Sequence, residues 1–181
     1  MLADLKLTTH LAPIGNVAPI GSSTLGLMVW RDLDFSVISP GLSTERLSQI
    51  MRPLVMHPKV NQVRLLNESG LFNPTGLPQD ERYYLAAHYL AGKVEWKIDI
   101  SFWLGDGPRP EVKYAEGIRQ KLTRETRVAI LWIKDVWHRL PTYRREVSGM
   151  DIYTAVLDHG VRTPTQFEAY LARAKSGGIN E

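Results

Sequence analysis

Two aspartates separated by a single leucine, Asp32 and Asp34 in the stretch PIGSSTLGLMVWRDLDFSV (residues 19–37), interrupt one of the most apolar runs of the chain. In a strand, residues i and i+2 point to the same face. The two carboxylates would then stand side by side while Leu33 and Phe35 turn into the core. Like charges held so close repel, and a divalent cation between them removes that cost. A further carboxylate lies in VEWKIDISFWL (residues 94–104). There Val94, Trp96, Ile98, Ile100 and Phe102 form an apolar face, and Glu95, Lys97, Asp99 and Ser101 occupy the other. If this strand lies beside the Asp32–Asp34 strand in one sheet, Asp32, Asp34 and Asp99 converge. An all-oxygen donor set of this kind suits Mg²⁺ or Mn²⁺, which take the rest of their shell from water and substrate phosphates.

The elements that must hold these residues are readable from period and punctuation. Val17–Ile20 reads as a short strand running into Gly21, residues 22–27 as a turn or brief helix, and residues 30–38 as the next strand. Leu47, Ile50, Met51, Leu54 and Val55 repeat at helical spacing, and His57-Pro58 stops that helix. Val60–Leu66 reads as a strand and residues 67–80 as an irregular loop. Residues 82–90 and 94–104 alternate around Ala91-Gly92-Lys93, a hairpin pattern. Beyond Asp106-Gly107-Pro108-Arg109-Pro110 the period becomes helical. Thr123 caps one helix to about Trp137, Ser148-Gly149 precedes another that Gly160 stops, and Thr163-Pro164 with Gln166 opens the last with a capping box. The tryptophans at 96, 103, 132 and 137 read as core or interdomain packing residues. The closing SGGINE is expected to be disordered.

Composition excludes several chemistries. At 181 residues and 44% hydrophobic, the chain is long enough for one full core or for a domain plus a helical appendage. With no cysteine, neither a disulfide framework nor a thiolate metal site can form. The start, MLADLKLTTH, lacks the order of a signal peptide, and no apolar run approaches the roughly 20 residues of a membrane span. A cytoplasmic protein is therefore expected. The net charge of +3 suits phosphate-bearing ligands, but without a Lys/Arg tract it disfavours nucleic acid as a partner. Gly21 and Gly26 match a P-loop spacing, yet Leu27 stands where that loop needs lysine. The histidines, 5 in number, show no metal-ligand spacing, and His88 reads as structural. Glu95 reads as a surface carboxylate or, alternatively, as a general base.

GSSTLGLMVWRDLDF, with KIDI around Asp99, resembles the signature of the nucleotidyltransferase superfamily, the DNA-polymerase-β-like fold. That signature is Gly-Ser or Gly-Gly after a hydrophobic residue, a spacer, Asp-x-Asp flanked by apolar residues, and a third acid on a later strand. The spacer Leu25–Trp30 is more apolar than usual, which implies that a partner or the core covers it. Arg31 replaces the common serine. More loosely, IYTAVLDHGVRTPTQFEAYL (residues 152–171) resembles the helical tails of small bacterial members.

The resemblance implies an α+β fold: a mixed sheet with flanking helices over residues 1–107, followed by a helical region, 108–181, packed on that core. It implies Asp32, Asp34 and Asp99 as catalytic residues and as ligands of two Mg²⁺ (or Mn²⁺) ions. Gly21 and Ser22 would meet the phosphates of an NTP co-substrate, ATP being the first expectation, and Lys97 would neutralise phosphate or balance Asp99 and Glu95. The implied activity is transfer of a nucleoside monophosphate to a hydroxyl of a small-molecule acceptor, as in antibiotic adenylyltransferases. Tyr153, on the helix that follows Ser148-Gly149, reads either as the first candidate to select that acceptor or as an ordinary packing residue. The alternative is a toxin- or antitoxin-type module of the same fold that acts on or binds a protein partner. The apolar spacer and tryptophan-rich tail also suit a homodimer.

Overall fold

The computed structural model describes residues 1–175. The elements follow in the order α1 (Leu7–Leu11), β1 (Asn16–Ile20), α2 (Gly21–Leu25), β2 (Asp32–Ile38), α3 (Thr44–Val55), β3 (Val60–Glu68), β4 (Arg82–Ala91), β5 (Val94–Trp103), α4 (Pro110–Lys121), α5 (Arg124–Trp137), α6 (Gly149–Leu157) and α7 (Pro164–Lys175). The loop between β3 and β4 carries two 3₁₀ turns, Gly70–Phe72 and Pro78–Asp80. Two compact units emerge. The first is Met1–Thr24 with Trp30–Val112, and the second is Leu25–Val29 with Lys113–Glu181. The division falls inside α4, and the second unit takes in Leu25–Val29 of the apolar spacer.

The first unit is built on a five-stranded sheet of order β1-β2-β5-β4-β3. β2 and β5 run parallel, and the other neighbours are antiparallel, so the sheet is mixed. The alternation along β5 decides which face is dry. Ile98, Ile100 and Phe102 are buried, together with Leu85, Ala87 and Tyr89 of β4. These side chains share a core with Leu47, Ile50 and Leu54 of α3 and with Leu5, Leu7 and Leu11 of the N-terminal segment. Helix α3 forms as its periodicity predicts. Ser43 caps it, its hydroxyl accepting from the Arg46 N–H at 3.2 Å, although Val55 at its end is 56% exposed. The hairpin turns at Gly92, whose φ of 64° favours glycine.

In the second unit the caps expected from sequence are present. Thr123 and Thr126 exchange hydrogen bonds across the first turn of α5, as do Ser148 and Asp151 at α6. At α7 the Gln166 N–H donates to Thr163 Oγ1 at 3.2 Å, but the Gln166 side chain accepts from Arg162 N–H rather than completing a capping box with Thr163. Leu25 and Leu27 of the spacer share a core with Ile130, Ile133, Ile152, Val156 and Phe167. The Lys134 ammonium, 1% exposed, donates to the Leu27 carbonyl at 2.7 Å and to the Tyr153 hydroxyl at 3.2 Å. The apolarity of Leu25 and Leu27 is thus explained: both are core. Tyr153 is itself 6% exposed in that core, so of its two readings the burial favours packing over acceptor selection. Trp137 packs edge-on against Phe167 with ring centroids 5.0 Å apart. Trp132 departs from the packing expectation, being 52% exposed.

Candidate active site

The parallel pairing of β2 with β5 sets the site. Asp34 and Asp99 are Cα partners across the two strands, and Asp32 lies two residues before Asp34 on the same face. One carboxylate oxygen from each of Asp32, Asp34 and Asp99 lies within 4.8 Å of the others. Asp32 is 5% exposed, and its Oδ2 accepts from the Trp30 indole N–H at 3.0 Å. Lys97, two residues before Asp99 on the same face, donates to Asp99 Oδ2, and its ammonium lies 3.5 Å from the Tyr84 hydroxyl. The other oxygen of that carboxylate, Asp99 Oδ1, is buried with no hydrogen-bond partner. A buried carboxylate oxygen costs desolvation energy unless something positive meets it. An all-oxygen cluster with such an atom in it therefore fits a hard divalent cation.

Gly21 stands against this cluster. Its φ is 75°, and a Cβ built on it would lie 2.3 Å from Asp34 Oδ2. Ile20, the residue before it, pairs with Asp34 across β1 and β2. The glycine is needed for two reasons, then: a left-handed backbone, and the room that Asp34 occupies. Ser22 follows in the first turn of α2, half-buried. Its neighbours Ser23 and Thr24 turn their hydroxyls back onto the carbonyls of Ile20 and Gly21.

Asp32, Asp34 and Asp99 are thereby brought together, Lys97 and Gly21 stand against them, and Ser22 follows Gly21 in the chain. Glu95 is drawn elsewhere. It lies four residues from Asp99, about 13 Å along an extended strand, and accepts from His88 at 2.9 Å and from Asn61 at 3.0 Å. The His88 hydrogen bond, followed by that of Asn61, holds its carboxyl below the ordinary carboxylate range. This pairing gives His88 the structural part expected of it.

Three contributors were missed or left open in the sequence, where of Tyr83 and Tyr84 one is expected to face the cleft without the sequence deciding which. The first is Trp30, counted only as part of an apolar spacer, whose N–H is a donor to Asp32. Tyr84 is the second. It lies on the lysine-bearing face while Tyr83 is buried in the core, a choice that strand register makes and a Tyr-Tyr pair cannot. The third is a polar chain beside the acids: Trp103 Nε1–H donates to Ser36 Oγ at 3.0 Å, and Ser36 Oγ–H donates to Glu111 Oε1 at 3.2 Å. The Arg109 guanidinium lies over the Trp103 ring at 3.4 Å. This chain ties β2 to β5 through Ser36, two residues beyond Asp34, and Trp103, four beyond Asp99.

No protein-family model matches the sequence, and no curated protein matches it. Among solved structures, the chain is similar to the polymerase core of TRAMP, an RNA surveillance complex, at 16% identity with a TM-score of 0.59, over 98% of this chain and 50% of that one. It is also similar to the non-canonical poly(A) polymerase complex GLD-2–GLD-3, at 12% identity with a TM-score of 0.54, over 99% of this chain and 61% of that one. The chain thus spans about half to three fifths of the length of these polymerases. At such identities the likeness is one of fold. The chain has a nucleotidyltransferase-type α+β fold, with a five-stranded mixed sheet and flanking helices.

Proposed function

We propose that this protein transfers a nucleoside monophosphate from an NTP to a hydroxyl acceptor. The convergence of Asp32, Asp34 and Asp99 beside Gly21 is the observation that carries the reading. Asp32, Asp34 and Asp99 would hold Mg²⁺ or Mn²⁺, which when bound neutralises triphosphate charge and acidifies the acceptor hydroxyl. The chain's own residues do the rest. Gly21, lacking a Cβ, leaves its backbone N–H open to a phosphate, and the Ser22 hydroxyl is a second donor there. Trp30 fixes one oxygen of Asp32, so that carboxylate is oriented before any ligand arrives. Lys97 offsets the negative charge at Asp99 and leaves its Oδ1 available. Catalysis of this kind rests on positioning and charge neutralisation more than on covalent help.

The acceptor we infer is a small hydroxyl-bearing molecule of the kind antibiotic adenylyltransferases modify, with ATP as donor. A second reading, an RNA 3′-hydroxyl, is favoured by the likeness to the polymerase core of an RNA surveillance complex and to a poly(A) polymerase complex. Incubation with α-labelled NTPs, Mg²⁺ and either aminoglycosides and lincosamides or a short oligoribonucleotide separates the two by where the label goes. Label on neither class, or equal labelling by Asp99→Asn and wild type, overturns the transfer reading.

A further inference from the structure

Helix α5 is apolar on two sides. One side supplies Ala129, Ile130 and Ile133 to the core of the second unit. On the other, Val128, Trp132 and Val136 are 57%, 52% and 40% exposed. At roughly 100° per residue, Val128 and Val136 flank Trp132 at about 40° on either side. Glu125, in the first turn of α5, falls within about 20° of Trp132; Arg139, seven residues after Trp132, lies in the turn two residues beyond the end of α5 and reaches back to Asp135, and both are exposed. Read outward from Trp132, the stripe has a valine and then a charge in each direction, and the two charges are opposite.

We propose that this stripe pairs with the same stripe of a second copy of the chain, antiparallel about a two-fold axis at Trp132. The two Trp132 rings then meet, Val128 packs on the partner's Val136, and Glu125 faces the partner's Arg139 at both ends. Such an interface is isologous, one patch complementing itself, and so closes at two copies. A parallel pairing would set Glu125 on Glu125 and Arg139 on Arg139, which like-charge repulsion rejects. The Glu125 carboxyl is held below the ordinary carboxylate range by its own backbone N–H and by the Thr123 hydroxyl, with Arg162 adding to both. It is therefore ionised at neutral pH. Arg139 is engaged with Asp135 at 2.8 Å and 3.0 Å. That pair is solvent-exposed, so it contributes little, and the guanidinium keeps further donors for a partner. One helix pair buries less than the roughly 1,200–2,000 Å² of a stable complex, so the dimer should dissociate on dilution.

Sedimentation velocity on the full chain, over a series from roughly 1 µM to 1 mM, tests this. The expected result is a reversible monomer–dimer equilibrium that Trp132→Glu abolishes with unchanged circular dichroism. Glu125→Arg and Arg139→Glu should each weaken the dimer by about tenfold or more, and the two together should restore it. Three results would each overturn the proposal: a monomer throughout, a dimer indifferent to Trp132→Glu, or a double exchange no tighter than the single ones.

Discussion

The two faces of β5 differ as much as any two surfaces of the molecule. Ile98, Ile100 and Phe102 are at most 1% exposed in the core of the first unit. One residue out of step, Lys97, Asp99 and Ser101 carry a cation, an acid and a hydroxyl on the face shared with Asp32 and Asp34. Burial on one face stabilises a strand that the other face, crowded with carboxylates, destabilises. The strand can hold unfavourable charge in register because its far side is anchored. Stability and chemistry are therefore assigned to opposite parities of one ten-residue segment.

The largest expected effect comes from breaking the anchored face. Phe102→Ala should cost about 3–5 kcal/mol in denaturant unfolding, while the adjacent Ser101→Ala, which removes the acceptor for Arg82 at 3.0 Å, should cost only about 1 kcal/mol. Comparable losses at both positions would mean that the two faces share the load.

Gly21→Val sharpens the comparison from the other side. A valine at φ 75°, with its Cβ 2.3 Å from Asp34 Oδ2, should cost about 1–3 kcal/mol of strain and displace Asp34. Calorimetry should then show NTP binding lost in a protein that still melts cooperatively. Unchanged affinity in that folded variant would reduce the glycine to a turn residue.

Asp34→Asn acts on charge alone. Mg²⁺ at 100-fold over its dissociation constant should stabilise the wild type by about 2.7 kcal/mol and the variant far less. Without metal, the variant should match or exceed wild type, because a like-charge contact has been removed. Equal metal-dependent shifts in melting temperature would remove Asp34 from the ligand set.

The smallest effect lies at the margin of the anchored face. Asp4 accepts hydrogen bonds from Tyr89 and Lys59, and these lower its pKa from 3.8 to about 2. The folded protein therefore binds fewer protons there than the unfolded chain, and the stabilisation is complete above about pH 4. It declines as pH falls toward 2. The difference in melting temperature between wild type and Asp4→Asn should shrink across that window. A difference constant from pH 6 to pH 2 would show that Asp4 does not gain its partners on folding.

Much of this arrangement was legible before any coordinates. Strict alternation along residues 94–103 announced both faces of β5. The Thr123 and Ser148 caps announced α5 and α6, because a hydroxyl there satisfies N–H groups that no helix can satisfy internally. Asp-x-Asp announced paired carboxylates, since strand period alone puts i and i+2 together. Trp132 is not core, and helical spacing could not say so: it reports that a side is apolar without reporting whether anything covers it.

What the sequence determined by itself was local: which segments are strands or helices, which parity of β5 is dry, and that Asp32 and Asp34 share a face. These follow from periods of 2 and 3.6 residues, which neighbouring atoms impose. Only the tertiary structure decided that β5 lies beside β2 with Asp99 opposite Asp34, that Tyr84 rather than Tyr83 faces Lys97, and that Leu25 and Leu27 join the core of the second unit. Strand order and core membership depend on which distant surfaces bury each other best, a sum over contacts that no local spacing encodes.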